Sequence, residues 1–516
     1  MLRVPSGNRR YAELPKLPRM RARRHGHSIP GGRETGDDNE RPVQNGRLSG
    51  TETMIPESVD VVVIGAGPAG MTAATTASRA GLNVVLLDDQ MTAGGQIYRS
   101  ITRADEARVA LLGPDYASGS TIAAALSESN VRHETGAQVW LVSREREVHY
   151  TQRGQSKSLV ARHVVLATGA IERPFPVAGW TMPGVMTAGA AQILLKASGT
   201  VPRQPVVLAG CGPLLYLLAW QYLRAGVPIR AFVETTGLED KLRAARHWKS
   251  ALMGWRDLAK GFGLLRALRK ARVPVYRGAV DLRIEGETAA TALSFVARKR
   301  RQRIEARLIL LHQGIVPNTQ ITWSLQASHR WDSDQLCWTP KRNDVFELDV
   351  PDFFVAGDGG GIAGAKSAAT QGEICGWEIA RRHGRIDRGE FDTRFRELRS
   401  ELARHLHIRA FLDALYRPGE GTRIPADDVL VCRCEEVTAG AIRQSVVLGC
   451  VGPNQAKAFN RCGMGPCQGR LCGLTVSEII ARERHVTPEV VGYYRIRPPI
   501  KPLTLGQLAS VTDHAE

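Results

Sequence analysis

The sequence predicts an α/β protein with two dinucleotide-binding domains, followed by a small cysteine-rich module. Two observations carry the first part. A strand, a glycine-rich turn, a helix and a second strand succeed one another from Val59, and the same order recurs from Pro205. A third observation carries the module: of nine cysteines, five fall between Cys432 and Cys467, and Cys472 follows closely.

Length and composition agree. A chain of 516 residues corresponds to about three ordinary domains. An apolar content of 43% with abundant glycine fits a globular α/β protein with many tight turns. No apolar run approaches the roughly 18 residues of a membrane span, so no transmembrane segment is expected. The net charge is +18, but Arg and Lys are scattered and no nucleic-acid motif accompanies them. The expected reading is a solvated basic surface, not a nucleic-acid interface, with an anionic partner surface as the alternative. The N-terminus lacks the apolar stretch of a secretory signal, and clustered rather than dispersed cysteines point to metal or redox use in a cytoplasmic protein.

Residues 1–57 read as a disordered basic tail, rich in Arg, Gly, Pro and Asn. The acidic residues Glu34, Asp37, Asp38 and Glu40 argue against a transit peptide, and Met54 is a possible alternative start. The expected cofactor domain comprises 58–200 and 306–400, interrupted by the second nucleotide domain at 201–305. A helix over Phe391–Tyr416 leads into an Arg-Pro-Gly linker, the end of the helix and the linker occupying 401–426, and the cysteine module with its tail fills 427–516.

The run Val59–Ile64 has the continuous apolar character of a buried parallel strand. In the following turn Gly65 permits the tight bend, Gly67 lets the backbone approach a pyrophosphate, and Gly70 lets the helix pack close to the strand. The helix N-terminus offers free N–H groups and a positive dipole end to phosphates. Asp88, at the end of the next strand, is placed to accept from ribose hydroxyls. Two later strands end in turns with polar residues: Val164–Leu166 before Thr168 and Gly169, and Phe353–Val355 before Gly357 and Asp358. These three ordered signatures resemble the glutathione-reductase and thioredoxin-reductase type of flavoprotein. The resemblance implies FAD in the first site, with Asp358 on its ribityl chain. Gln96, in the run Gly94–Arg99, and Val139, in a strand expected around Ala137–Ser143, complete the cofactor-binding candidates. The redox cysteine pair of disulfide reductases is missing. Its first usual place reads Gly-Gly-Gln-Ile-Tyr-Arg, and the second domain has only Cys211. A dithiol mechanism needs two thiols in reach, so disulfide reduction is excluded.

The second turn keeps Gly210 and Gly212 but has Leu215 at the third glycine position, so its helix is expected to sit further out. Glu234 ends the next strand and can take a ribose. Three readings stay open here: a bound adenine nucleotide, a working NAD(P)H site, or a vestigial fold.

Cys432 and Cys434 form a Cys-x-Cys pair; after 32 intervening residues Cys467 opens a Cys-x4-Cys pair with Cys472. Four thiolates in two pairs suit a [2Fe-2S] cluster. Zinc takes four cysteines too, but its pairs are usually spaced by two to four residues. The spacing resembles the compact helical bacterioferritin-associated-ferredoxin-like domain. Cys450 and Cys462 read as idle buried thiols.

The run Arg461–Cys472, with Gly94–Arg99 and His312–Asn318, resembles the large accessory flavoprotein of opine-oxidase-like complexes. That group includes the accessory subunits of octopine and nopaline oxidases, the corresponding subunit of hydrogen cyanide synthase, and the α subunits of hydroxyproline and proline dehydrogenases. The resemblance covers the chain after residue 57. It implies an FAD-dependent oxidoreductase that passes electrons through FAD and [2Fe-2S] within a hetero-oligomer. It also implies partners: an amino-acid-oxidase-like FAD subunit that oxidises the C–N bond, and a small ferredoxin-like subunit. Two rival functions are an NAD(P)H-dependent reductase of a ferredoxin-type acceptor and a non-catalytic scaffold or redox-sensing subunit. No catalytic acid–base set is legible in the sequence, and for His312 a structural role is preferred over proton transfer.

Overall fold

The computed structural model describes residues 2–3 and 57–510. The expected N-terminal tail therefore lies outside the described residues, apart from Leu2–Arg3, which pairs antiparallel with Val201–Pro202, and Glu57, which already belongs to the first strand.

The first sheet grows outward from Glu57–Ile64, whose inner residues Val61, Val62 and Val63 are fully buried. On one side it pairs in parallel with Val84–Asp88, which pairs in turn with Arg132–Thr135. On the other side lies the long strand Gln155–Leu166, whose C-terminal half also pairs in parallel with Phe353–Val355. The N-terminal half of that long strand turns antiparallel and carries Glu147–Gln152 and then Gln138–Val142. The strand expected around Ala137–Ser143 is thus present, one residue shorter at each end. The parallel arrangement brings three strand ends, at Ile64, Leu166 and Val355, to one edge, where open α/β sheets bind ligands.

Helix Pro68–Arg79 covers this sheet and packs against helix Ala365–Arg382 through small residues. A Cβ at Gly372 would meet the Ala69 carbonyl oxygen at 2.0 Å, and the Thr72 hydroxyl donates to the Ala369 carbonyl at 2.8 Å. The second sheet is parallel throughout, in the order Val275–Arg277, Ile229–Glu234, Val206–Cys211, Ile309–Gln313, Val185–Thr187. An antiparallel three-stranded sheet, Val280–Glu285, Ala292–Ala297 and Arg300–Glu305, packs beside it. Leu215, at the third glycine position of the second turn, is fully buried in the core.

The segment expected as one helix over Phe391–Tyr416 is two, Arg388–Leu406 and Arg409–Leu415. The break falls at His407–Ile408, where the Ile408 side chain turns inward against Gly254. The cysteine module has a short ladder, Leu430–Cys432 with Val437–Thr438, and helices Ala439–Val447, Pro453–Asn460 and Gly473–Glu483. It is joined to the rest at several points. The Trp180 indole donates to the Leu430 carbonyl at 2.7 Å, Tyr493 stacks on Trp323 with centroids 5.2 Å apart, and Arg423 pairs with the buried Glu478. No helix among the described residues is long and apolar enough to cross a membrane.

Candidate functional site

At the first turn the three glycines do different work. Gly65 has φ +104°, and a Cβ there would meet the Ala167 carbonyl oxygen at 2.5 Å. A Cβ at Gly70 would fall 1.8 Å from the Gly65 carbonyl oxygen, so helix and strand are locked together. Gly67 differs: a Cβ there would find only the Gly95 Cα, at 3.9 Å. Its free side faces a cavity of about 1640 Å³. That volume is ample for a dinucleotide; Gly95, packed against Gly67, and Gln96 line the same cavity.

Asp88 is buried and grips the turn. Its carboxylate accepts from the Ala66 N–H at 2.6 Å and the Gln90 N–H at 2.8 Å. Burial outweighs those bonds and pushes its pKa up to about 6. Val139 lines the same cavity, as do Thr168 and Gly169; the Thr168 hydroxyl donates to the Asn318 carbonyl at 3.0 Å. Gly357 donates to the Gln371 side-chain oxygen at 3.0 Å, which holds the turn that presents Asp358. Asp358 accepts from the N–H groups of Ala363 and Gly364 at 2.8 and 2.9 Å and also lines the cavity. Residues separated by nearly the whole fold thus converge on one space.

Two groups that were not singled out in the sequence for this site lie in the same wall. Lys196, 4% exposed, donates to the Gln96 carbonyl at 3.2 Å. Burial, with Arg99 nearby, lowers its pKa to about 7. Glu172 faces His312, Oε1 to Nδ1 2.7 Å, and also accepts from the Gly189 N–H at 2.9 Å. His312 is buried yet borders the cavity, so it belongs to a carboxylate–imidazole pair that no local motif marks.

The second turn opens on this cavity through Gly212, Pro213 and Tyr216. Gly210 is pressed against the His312 carbonyl oxygen, where a Cβ would fall at 1.6 Å, and a Cβ on Gly212 would touch the His312 ring at 3.2 Å. Glu234 is buried; the Tyr216 hydroxyl donates to its Oε1, and Arg277 stands 3.5 Å from its Oε2. The Tyr416 ring packs near Tyr216, centroids 6.4 Å apart, and the Cys211 thiol donates to the Tyr416 carbonyl at 3.6 Å.

In the cysteine module the structure regroups the predicted ligands. The sulfurs of Cys432, Cys462 and Cys472 all lie within 4.8 Å of one another, and all three residues are buried. Hydrogen bonds from the Cys462 and Cys472 thiols draw the Cys432 thiol down to about 2, while Cys462 is pushed up to about 12. Cys434, raised chiefly by burial, pairs with Cys467 nearer the surface. Cys462, read from the sequence as idle, therefore sits among the ligand candidates; its place in the run Arg461–Cys472 was the available signal. Cys450 is buried and gives its thiol hydrogen to the Gly452 carbonyl at 3.2 Å. Arg470, between Cys467 and Cys472 in the chain, lines the large cavity.

The family model of the pyridine nucleotide-disulphide oxidoreductases matches residues 59–372, and that of the sarcosine oxidase A3 domain matches 428–512. The chain is 43% identical to an opine oxidase subunit of Agrobacterium tumefaciens (strain Ach5), over 89% of this chain and 92% of that one. It is 30% identical to the HcnB subunit of hydrogen cyanide synthase from Pseudomonas aeruginosa, over 86% of this chain and 96% of that one. The crystal structure of L-proline dehydrogenase from P. horikoshii shares the fold, with a TM-score of 0.65 at 18% identity, covering 88% of this chain and 80% of that one. The chain belongs to the pyridine nucleotide-disulphide oxidoreductase family and, with opine oxidase subunits among its relatives, is an FAD-dependent oxidoreductase of that group.

Proposed function

We propose that this chain is the electron-transferring subunit of a multi-subunit amine or amino-acid dehydrogenase, acting on opine, hydroxyproline or glycine-type substrates. One observation carries the reading. The loop that bears Cys467 and Cys472 also supplies Arg470 to the wall of the cavity that the first glycine turn borders, which supports a relay between flavin and cluster. The residues fit both groups. Gly67 leaves room for a pyrophosphate, Asp88 and Asp358 offer carboxylates to ribose and ribityl hydroxyls, and Gln96 and Val139 complete the wall. Cys432, Cys434, Cys467 and Cys472 are the ligand set for a [2Fe-2S] cluster. When bound, FAD supplies two-electron chemistry and the cluster one-electron chemistry; the protein orients them and sets their surroundings.

The catalytic C–N oxidation is assigned to an amino-acid-oxidase-like FAD subunit, and the further partner is a small ferredoxin-like subunit. In this reading no residue of the cavity is committed as base for an amine proton, and the Glu172–His312 pair is structural. At the second turn an adenine nucleotide is the favoured ligand, since Gly212 and Tyr216 border open space; Glu234 would then exchange the Tyr216 hydroxyl for a ribose.

The test is cofactor analysis of the chain purified without air. About one FAD and about two iron per chain, with an EPR signal on reduction, are expected. Zinc near one per chain without iron would overturn the cluster, and a chain that never retains flavin would overturn the whole reading.

A further inference from the structure

The cysteine module holds six thiols, two more than a four-cysteine cluster uses, and of the extra two Cys462 lies among the ligand candidates while Cys450 is hydrogen-bonded to the Gly452 carbonyl. Sulfurs bound to one tetrahedral metal, with bonds near 2.3 Å, lie roughly 3.8 Å apart. The sulfurs of Cys432, Cys462 and Cys472, all within 4.8 Å of one another, thus crowd the coordination sphere of a single metal. The other pair is Cys434 with Cys467, whose side chains lie close enough to influence each other. The ligands would therefore divide across the two sequence pairs: one iron would be held from the buried trio, the other by Cys434 and Cys467. The trio offers three sulfurs where two suffice.

The place of Cys462 is built. Helix Pro453–Asn460 ends on Arg461 in the left-handed region, φ 60°. The Cys462 N–H is held by the Asn460 side chain at 3.1 Å. Arg461 reaches back to Glu435 at 2.8 Å, which ties this turn to the loop bearing Cys432 and Cys434. Cys472 approaches the same point from the start of helix Gly473–Glu483, with its sulfur 3.9 Å from the Tyr494 hydroxyl. Both Cys462 and Cys472 contact Cys432.

We propose that Cys462 is an alternative cluster ligand, interchangeable with Cys472 on the iron that Cys432 holds. This rests on the [2Fe-2S] reading above. In the exchange the Cys462 thiol would bind iron as the thiolate while the Cys472–iron bond breaks, the proton passing from Cys462 to the departing Cys472 sulfur, with no change in iron oxidation state.

Full-length chains carrying Cys462→Ala, Cys472→Ala, both changes, or Cys434→Ala are purified anaerobically and compared by iron and sulfide content and by EPR after reduction. Flavin content serves as the folding control. Cys462→Ala is expected to match the wild type. Cys472→Ala should keep at least about half of the wild-type iron, with shifted g values, and the double variant should fall to background. Cys434→Ala, with no fifth thiol beside its pair, should lose the cluster. If Cys472→Ala is as iron-poor as the double variant, or if Cys462→Ala alone empties the site, the interchange is overturned while the cluster reading stands. A wild-type chain without iron would instead overturn the cluster reading itself, and the interchange with it.

Discussion

Asp88 and Lys196 are both buried ionisable groups in the wall of one cavity, and each makes a pH-dependent expectation. A ribose hydroxyl donates to a carboxylate, so the ionised Asp88 is the binding form. With its pKa raised to about 6, acidification protonates it and removes an acceptor. FAD affinity should therefore weaken as pH falls through about 6, while Asp88→Asn should bind more weakly at neutral pH with a flatter profile; flavin titration by fluorescence reads both. For Lys196 the folded pKa is depressed from 10.5 to about 7. The unfolded chain then binds the extra proton between those values, so this group makes stability rise with pH across that window. The cost of burying the charge is full below about 7 and fades toward 10.5. Lys196→Met should raise the unfolding midpoint of the flavin-free chain at neutral pH, and its advantage should shrink at about pH 9, at a slope of about 1.4 kcal/mol per pH unit. An equal advantage at both pH values would contradict the assignment.

At the scale of one turn, the glycines of the first βαβ unit separate folding from binding. Gly70 is closed off by the Gly65 carbonyl, so Gly70→Ala must displace the helix and should lower the unfolding temperature even without flavin. Such overpacking costs about 1–3 kcal/mol or more. Gly67 has a negative φ and open space on its Cβ side. Gly67→Val should leave the flavin-free fold near wild-type stability while abolishing flavin retention after desalting. Retention of full flavin by that variant would show that the pyrophosphate lies elsewhere. The second turn is built differently: Leu215 fills the place of the third glycine, and Glu234 is already partnered by Tyr216.

Across the molecule, the cysteine module must stay docked for Arg470 to line the large cavity. Arg423 and Glu478 form a buried pair at that junction, with side chains 14% and 4% exposed. Arg423→Met would strand the Glu478 charge, a loss of about 3–5 kcal/mol. Faster proteolytic release of the module with flavin retained is the expected result; unchanged digestion would argue that the pair contributes little. On the largest scale, the isolated chain should reduce an artificial dye poorly with a panel of imino-acid, opine and glycine-like substrates. Co-expression with an amino-acid-oxidase-like chain should give a stable hetero-oligomer that does so. Robust turnover by the isolated chain would make this protein a self-contained dehydrogenase.

What the sequence determined by itself is the part that local backbone geometry dictates. A turn that must bend, approach a phosphate and receive a helix needs glycines at set spacings, so Gly65, Gly67 and Gly70 were legible, and strand ends placed Asp88, Thr168 and Asp358 on one edge. The matched families bear out the flavoprotein fold and the opine-oxidase-like kinship. Tertiary structure alone decided which distant side chains meet. His312 found Glu172, Lys196 came to lie over Gln96, and Tyr216 took the Glu234 carboxylate. Cys462 joined Cys432 and Cys472, while Cys434 turned away to Cys467. Spacing along the chain fixes which thiols are neighbours in sequence, but the packing of three short helices and a turn fixes which sulfurs share a point in space.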